Sequence, residues 1–260
     1  MNLDLSDKNA LVCGASAGIG AASARALAAL GARVTLVARN ADKLTAVLQT
    51  LDHQEEGHDF LVADFSDPQQ LKSALNELPD DRNYHILINN TGGPKGGPIY
   101  SADTSEFTQA FSQHLVCNQL LSQALVPGMQ KEGYGRIINV ISTSVKQPID
   151  GLGVSNTIRG AVANWAKTLA NELGPSGVTV NNVLPGFTAT DRLADIVKNA
   201  ANKFQKTEEE AAAFMRQLVP VRRFAQPEEI ANAVAFLASP AASYINGINL
   251  PVDGGRTKSL

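Results

Sequence analysis

Seven short apolar runs, each separated from the next by a longer stretch and most by a helical pattern, limit what this chain can fold into. The runs are NALVC (9–13), RVTLVA (33–38), DFLVA (59–63), HILIN (85–89), RIINVI (136–141), VTVNNVL (178–184) and INLPV (248–252). Each is rich in Val, Ile or Leu and predicts a strand buried on both faces. Between them lie IGAASARALAALG, ADKLTAVLQTL, PQQLKSALNEL, a long helical pattern from about 104 to 131 and another from about 152 to 173. Ser66-Asp67-Pro68 is a helix start, and Leu30-Gly31 and Leu173-Gly174-Pro175 are helix stops. Strand–helix alternation of this kind requires a parallel sheet with helices on both faces, a doubly wound α/β fold. No linker, repeat or low-complexity segment interrupts it, so the expectation is a single domain over 1–260. The polar, Ala-rich stretch at about 190–217 has no strand before it and reads as a helical excursion on the ligand edge.

The first strand runs directly into CGASAGIGAASARAL, with glycines at 14, 18 and 20 and with Ser16 and Ile19 between them. A glycine-rich turn between a strand and a helix lets a dinucleotide's pyrophosphate approach backbone N–H groups and the positive end of the helix. The second strand ends in LVARN. An acid there would bond a ribose 2′-hydroxyl, whereas Arg39 suits a 2′-phosphate, so NADP(H) is expected in preference to NAD(H). Asp64, after the third strand, is a candidate acceptor for an adenine amino group, or a plain turn acid.

Composition excludes other classes. Hydrophobic residues are 44% and charged residues 18%, as in ordinary globular proteins, and the net charge of −3 with no basic cluster argues against nucleic acid as a partner. No run approaches the ~18 apolar residues of a membrane span, and the start MNLDLSDKNA lacks the basic and apolar regions of a signal peptide. Two isolated cysteines, 13 and 117, read as small buried hydrophobes in a reducing compartment, so a cytoplasmic location is expected. His53 and His58 flank a polar loop and suggest no metal site.

Together with residues further on, these features resemble the short-chain dehydrogenase/reductase superfamily over nearly the whole chain. The spacing Gly14, Gly18, Gly20 is the superfamily's. Asn89-Asn90-Thr91-Gly92 is similar to its Asn-Asn-Ala-Gly motif, which places Asn90 and Gly92 at the cofactor. PGFTATD resembles the loop over the nicotinamide, with Pro185, Gly186, Thr188 and Thr190, and SYINGINLPVDGG resembles its final strand. The texture is similar to the 3-oxoacyl-[acyl-carrier-protein] reductase branch. The resemblance implies a Rossmann-like fold with a seven-stranded parallel sheet, a homotetramer, and a small carbonyl or acyl-thioester substrate.

The resemblance breaks at the catalytic residues. The superfamily uses Asn, Ser and a Tyr-x-x-x-Lys pair. An ungapped match from Gly135 to Gly160 puts Ser142 on the Ser, Ser155 on the Tyr and Arg159 on the Lys, and His114 falls on the Asn. Residues 155 and 159 still face the same way on a helix. Arg159 can hold ribose hydroxyls but does not release a proton in proteins. Ser155 is a far weaker acid than a phenol and reads as a helix-start hydroxyl bonded to nearby backbone. Of the tyrosines at 84, 100, 134 and 244, only Tyr100 follows a strand's carboxyl end. His114 titrates near neutrality and is the candidate proton donor, with a helix-interface histidine as its alternative reading. The sequence therefore suggests an NADP(H)-dependent oxidoreductase with a rearranged proton donor. The alternatives are a dinucleotide-binding protein that has lost the chemistry and, less readily given the glycines and PGFTATD, a cofactor-free assembly protein.

Overall fold

The computed structural model describes residues 1–79 and 81–259. Seven strands form one sheet: β1 (Asn9–Cys13), β2 (Arg33–Ala38), β3 (Asp59–Val62), β4 (Ile86–Asn89), β5 (Gly135–Val140), β6 (Val178–Pro185) and β7 (Asn249–Val252). Their order is β3-β2-β1-β4-β5-β6-β7, and every pairing is parallel. The order reverses between β1 and β4, which opens a crevice at the carboxyl ends of those strands.

Alternate residues of each inner strand feed opposite faces of the sheet. Ala10 and Val12 join Val34, Leu36, Ile86 and Ile88 in one core, covered by α1 (Gly18–Ala29), α2 (Ala41–Leu48) and α9 (Pro227–Ala238). Leu11 and Cys13 join Val37, Leu87 and Ile137 in the other, covered by α3 (Pro68–Leu75), α5 (Cys117–Glu132) and α6 (Gly153–Leu173). Continuous Val/Ile/Leu runs are needed because both faces are dry. Leu87 and Ile88, adjacent in sequence and on opposite faces, have no exposed surface, and truncating either costs about 2–5 kcal/mol.

Three elements differ from the sequence expectation. The edge strands are not buried on both faces: Phe60 and Val62 of β3 are exposed, and all four residues of β7 are half-buried, because each edge lacks a neighbour on one side. The long pattern over 104–131 is α4 (Thr104–Phe111), a π turn at Ser112–Val116, and α5, so the helix carries one widened turn in its middle. The excursion at 190–217 is two helices, α7 (Asp191–Phe204) and α8 (Glu208–Gln217), separated at Gln205, which takes a left-handed conformation. Leu193, Val197, Ala212 and Met215 close a small core of their own between them.

One internal network was not expected. Asn89, Asn139, Asn182 and Asn249 sit in register on four neighbouring strands. Their amides form a ladder, with Nδ2 donating to the next Oδ1 at 2.8, 2.9 and 2.8 Å. The ladder ties the carboxyl-terminal half of the sheet together below the cleft, with two buried bonds and a half-buried third at Asn249.

Candidate active site

The carboxyl ends of the strands open into a cleft of about 1190 Å³. Its wall at one end is the loop from β1 to α1. Gly14 has φ +60, and a Cβ there would lie 2.3 Å from the Asn90 carbonyl oxygen; a Cβ on Gly20 would lie 2.1 Å from the Gly14 oxygen. Only bare backbone fits in both places. The Asn90 amide ties this loop down, donating to the carbonyls of Cys13 and Gly14 at 3.3 and 3.4 Å. Helix α1 begins with no side-chain cap and no acid in its first turn, a feature it shares with α6 at the same cleft. Its first N–H groups are thus left to an anion in the cleft. Gly14, Ser16, Gly18 and Ile19 line the cleft, and Gly20 supports the loop from behind.

At the end of β2, Arg39, Asn40 and Lys43 line the same cleft. Arg39 lies 4.0 Å from Asp64, both side chains open to solvent. Burial pushes the Asp64 carboxyl up, but hydrogen bonds from the Ser66 N–H and hydroxyl, and the Arg39 charge, outweigh it and leave the pKa lowered. The carboxylate is therefore ionised and one oxygen is already occupied by Ser66. Across the cleft, Pro185, Gly186, Thr188 and Thr190 form the opposite rim. A Cβ on Gly18 would approach the Thr190 methyl to 3.1 Å, so this rim closes over the glycine loop.

The other end of the cleft holds Gly92, Ser142, Ser155 and Arg159. Ser142 is extended at the end of β5, and its Oγ accepts from the Ser144 N–H at 3.0 Å, which leaves its proton free to donate into the cleft. Ser155 lies in the first turn of α6 and is buried. Ser155 lines the cleft, and among the described residues its hydroxyl makes none of the expected bonds to nearby backbone. Arg159, one turn on, is 6% exposed and donates to the carbonyls of Val140 and Thr91, each at 3.4 Å. Burial and the nearby Arg192 charge lower its pKa to about 10, so it stays a cation at neutral pH.

His114 is set apart from this group. It sits in the π turn, 1% exposed, and is not part of the cleft wall. Its Nδ1 lies 2.6 Å from the Thr91 hydroxyl and its Nε2 has no partner. Burial, then the Arg159 charge, lowers its pKa to about 2, so the ring is neutral at physiological pH. Thr91, not His114, faces the cleft. No tyrosine lines the cleft among the described residues. Tyr100 is fully exposed on a turn, Tyr84 bonds Thr35, Tyr134 donates to the Ala238 carbonyl, and Tyr244 is fully exposed.

Arg192 escaped the sequence reading. It lies in the first turn of α7 and reaches across the cleft to donate to the Pro94 carbonyl at 2.8 Å. A cation at a helix N-terminus opposes the helix dipole. That mismatch, directly after the Thr-rich rim, was the available signal.

A seven-stranded parallel sheet with this glycine turn and this cleft defines a Rossmann-like dinucleotide-fold protein. The chain belongs to the short-chain dehydrogenase/reductase superfamily of oxidoreductases, on the following comparisons. A family model described as enoyl-(acyl carrier protein) reductase matches residues 14–257. The 3-oxoacyl-[acyl-carrier-protein] reductase of Vibrio cholerae is 36% identical over 256 residues, covering 97% of this chain and 98% of that one. The NADPH-dependent reductase BacG of Bacillus subtilis is 30% identical over 259 residues, covering 98% and 100%. The crystal structure of L-sorbose reductase from Gluconobacter frateurii, complexed with NADPH and L-sorbose, superposes with a TM-score of 0.93 at 30% identity, covering all of both chains.

Proposed function

We propose that the protein is an NADP(H)-dependent oxidoreductase that moves a hydride between a nicotinamide and a carbonyl or alcohol carbon. The observation that carries this reading is a single cleft with bare glycine backbone and an uncapped helix start at one end, and Ser142, Ser155 and Arg159 at the other. The residues present fit the cofactor: the Gly14–Gly20 cradle accepts a pyrophosphate, Arg39 and Lys43 suit a 2′-phosphate, and Arg159 can hold ribose hydroxyls. When bound, the nicotinamide supplies the hydride.

The chain's own residues do the rest. Ser142 donates a hydrogen bond to the substrate oxygen. The Arg159 guanidinium stabilises the negative charge that develops there, in a site poorly screened by water. Arg159 gives hydrogen bonds and no proton. A buried neutral imidazole behind Thr91 does not suit a general acid, so the proton is assigned to water entering the cleft. Loss of a positioned general acid lowers rate by typically ~10²–10⁴, which leaves slow turnover intact. A 3-oxoacyl thioester is one candidate substrate, since a relative of 36% identity is named for that reduction. A homotetramer remains part of this reading.

The test is NADPH consumption with a panel of ketones and a short 3-oxoacyl thioester, with cofactor binding followed by fluorescence. Oxidation above the protein-free rate supports the reading. Binding without oxidation of any panel member favours the second reading, a dinucleotide-binding protein without chemistry, for which the lack of a tyrosine in the cleft among the described residues is the specific observation.

A further inference from the structure

Two guanidinium groups flank Gly93 in the cleft, with no acid paired to either among the described residues. The Nη2 atoms of Arg192 and Arg159 lie 3.8 and 3.9 Å from the point a Cβ on Gly93 would occupy. Neither arginine has a carboxylate within ion-pair distance among the described residues; Arg33, Arg136, Arg222 and Arg256 share that lack, but none of them pairs with a second guanidinium at the cleft. Arg159 is buried, and among the described residues its bonds are two long ones to backbone carbonyls, although a guanidinium has five N–H donors. Burying a cation without a counter-ion is costly, and bringing a second cation beside it adds repulsion. Such a pair is relieved when an anion enters.

The cofactor's pyrophosphate belongs to the other end, at the Gly14–Gly20 cradle and the α1 N-terminus. The ribose that Arg159 can hold brings only neutral hydroxyls, so the anion that answers the Arg159–Arg192 pair is assigned to the substrate. Arg159 is one helical turn from Ser155, and residues spaced this way have Cβ atoms about 5–6 Å apart. An anion at the pair is thus a few bonds from a carbonyl lying against Ser142 and Ser155. A planar guanidinium fork matches a carboxylate. At Gly93 the absence of a side chain leaves the space between the two forks open.

We propose that the substrate is a short oxo acid whose carboxylate is held by Arg159 and Arg192 over Gly93, and that Arg192 is a specificity-determining residue. This rests on reading the cleft as a carbonyl-reducing site. It makes free oxo acids better substrates than neutral thioesters or ketones of similar size.

The experiment compares pyruvate, acetoacetate and 4-oxopentanoate with their methyl esters, in the wild type and in Arg192→Met and Arg192→Lys, under saturating NADPH. At least one acid should exceed its ester in kcat/KM by about tenfold or more, the worth of a charged hydrogen bond. Arg192→Met should remove most of that preference by raising KM for the acid, with the ester and the NADPH Kd unchanged, and Arg192→Lys should restore part of it. Equal turnover of acids and esters overturns the proposal. So does a loss of NADPH affinity in Arg192→Met that accounts for the loss of acid turnover, which would assign the pair to the cofactor. If no compound oxidises NADPH, the function proposed above fails, and calorimetry of the acids on NADPH-loaded protein decides the clamp separately. Arg192-dependent binding of an acid sustains it, and no binding of any acid overturns it.

Discussion

The Nδ1 of His114 lies 2.6 Å from the Thr91 hydroxyl, and Thr91 stands between the imidazole and the cleft. A residue that aligns with part of the superfamily's active site has become an internal support for the loop after β4. The unpartnered, buried Nε2 and the cation of Arg159 nearby both oppose protonation of the ring. The neutral ring therefore ties acid stability, more than catalysis, to this residue.

The sign follows from the shift. A histidine held at about 2 when folded and near ~6.5 when unfolded binds protons more readily in the unfolded chain between those values. Its contribution to stability is fully present above pH ~6.5 and is lost as pH falls toward 2, at a slope of up to about 1.4 kcal/mol per pH unit. Replacing His114 with Asn, a neutral group, should flatten the fall in stability measured by urea unfolding between pH 6.5 and 4.5. Some slope should remain from His85, whose pKa is also lowered, by burial first and by Lys8 second. The pH–rate profile of the wild type should show no limb from His114 between pH 5 and 8.

Gly20→Ala should be more damaging than its size suggests. Its methyl would lie 2.1 Å from the Gly14 oxygen, so the cradle must open. Stability should drop by about 1–3 kcal/mol and NADPH binding should be lost at concentrations that saturate the wild type. Gly97→Ala is the control: nothing lies within 4 Å of a Cβ there, and stability should change by less than about 0.5 kcal/mol. Thermal melts with and without NADPH separate the two effects.

Arg39→Ala should weaken NADPH and leave NADH nearly unaffected. The side chain is 74% exposed, so solvent screens its charge and the expected loss is near tenfold, toward the lower end of the range for charged hydrogen bonds. Fluorescence titration of both dinucleotides at two salt concentrations measures it, and the discrimination should shrink at high salt.

Ser155→Tyr with Arg159→Lys should convert the cleft to one with a phenol beside an ammonium. Ser155 lines the cleft, so the ring has somewhere to go. Turnover of a neutral ketone should rise by about 10²–10⁴, the usual worth of a positioned general acid, with a new dependence on an ionisation below the tyrosine reference of ~10. The same double variant should discriminate less against methyl esters, because Lys makes a poorer carboxylate fork than Arg.

Much of the scaffold was legible in the sequence because both sheet faces are dry. That requirement turned β1, β2 and β4 into largely apolar runs, and strand–helix alternation then left a parallel sheet as the arrangement that buries them. The edges were harder to read: DFLV and NLPV look like inner strands by composition, yet each faces solvent on one side, and burial depends on neighbours that a local pattern does not carry. The π turn at Ser112–Val116 was invisible, since one extra residue in a turn leaves the apolar spacing of a long helix nearly intact. In the site, Gly14, Gly18 and Arg39 could be placed on the cleft wall, and Gly20 behind it, because their places depend on position along the chain. For His114 the sequence left a proton donor and a helix-interface histidine both open, because alignment fixes a residue's address and not its burial or intervening neighbours. Arg192 carried one local signal, a cation at a helix start, but its convergence with Arg159, 33 positions earlier in the chain, depends on the intervening fold and on a side chain crossing the cleft.

Hydride transfer itself is tested by following deuterium. NADPH labelled with deuterium at C4 on one face, and separately on the other, is incubated with the protein and the best of the carbonyl substrates, and the alcohol product is weighed by mass spectrometry. One deuterium on the carbinol carbon, delivered from one labelled face only, is the expected result. A product that carries no deuterium from either face, or no product at all while fluorescence shows the cofactor bound, would contradict an oxidoreductase and leave a dinucleotide-binding protein.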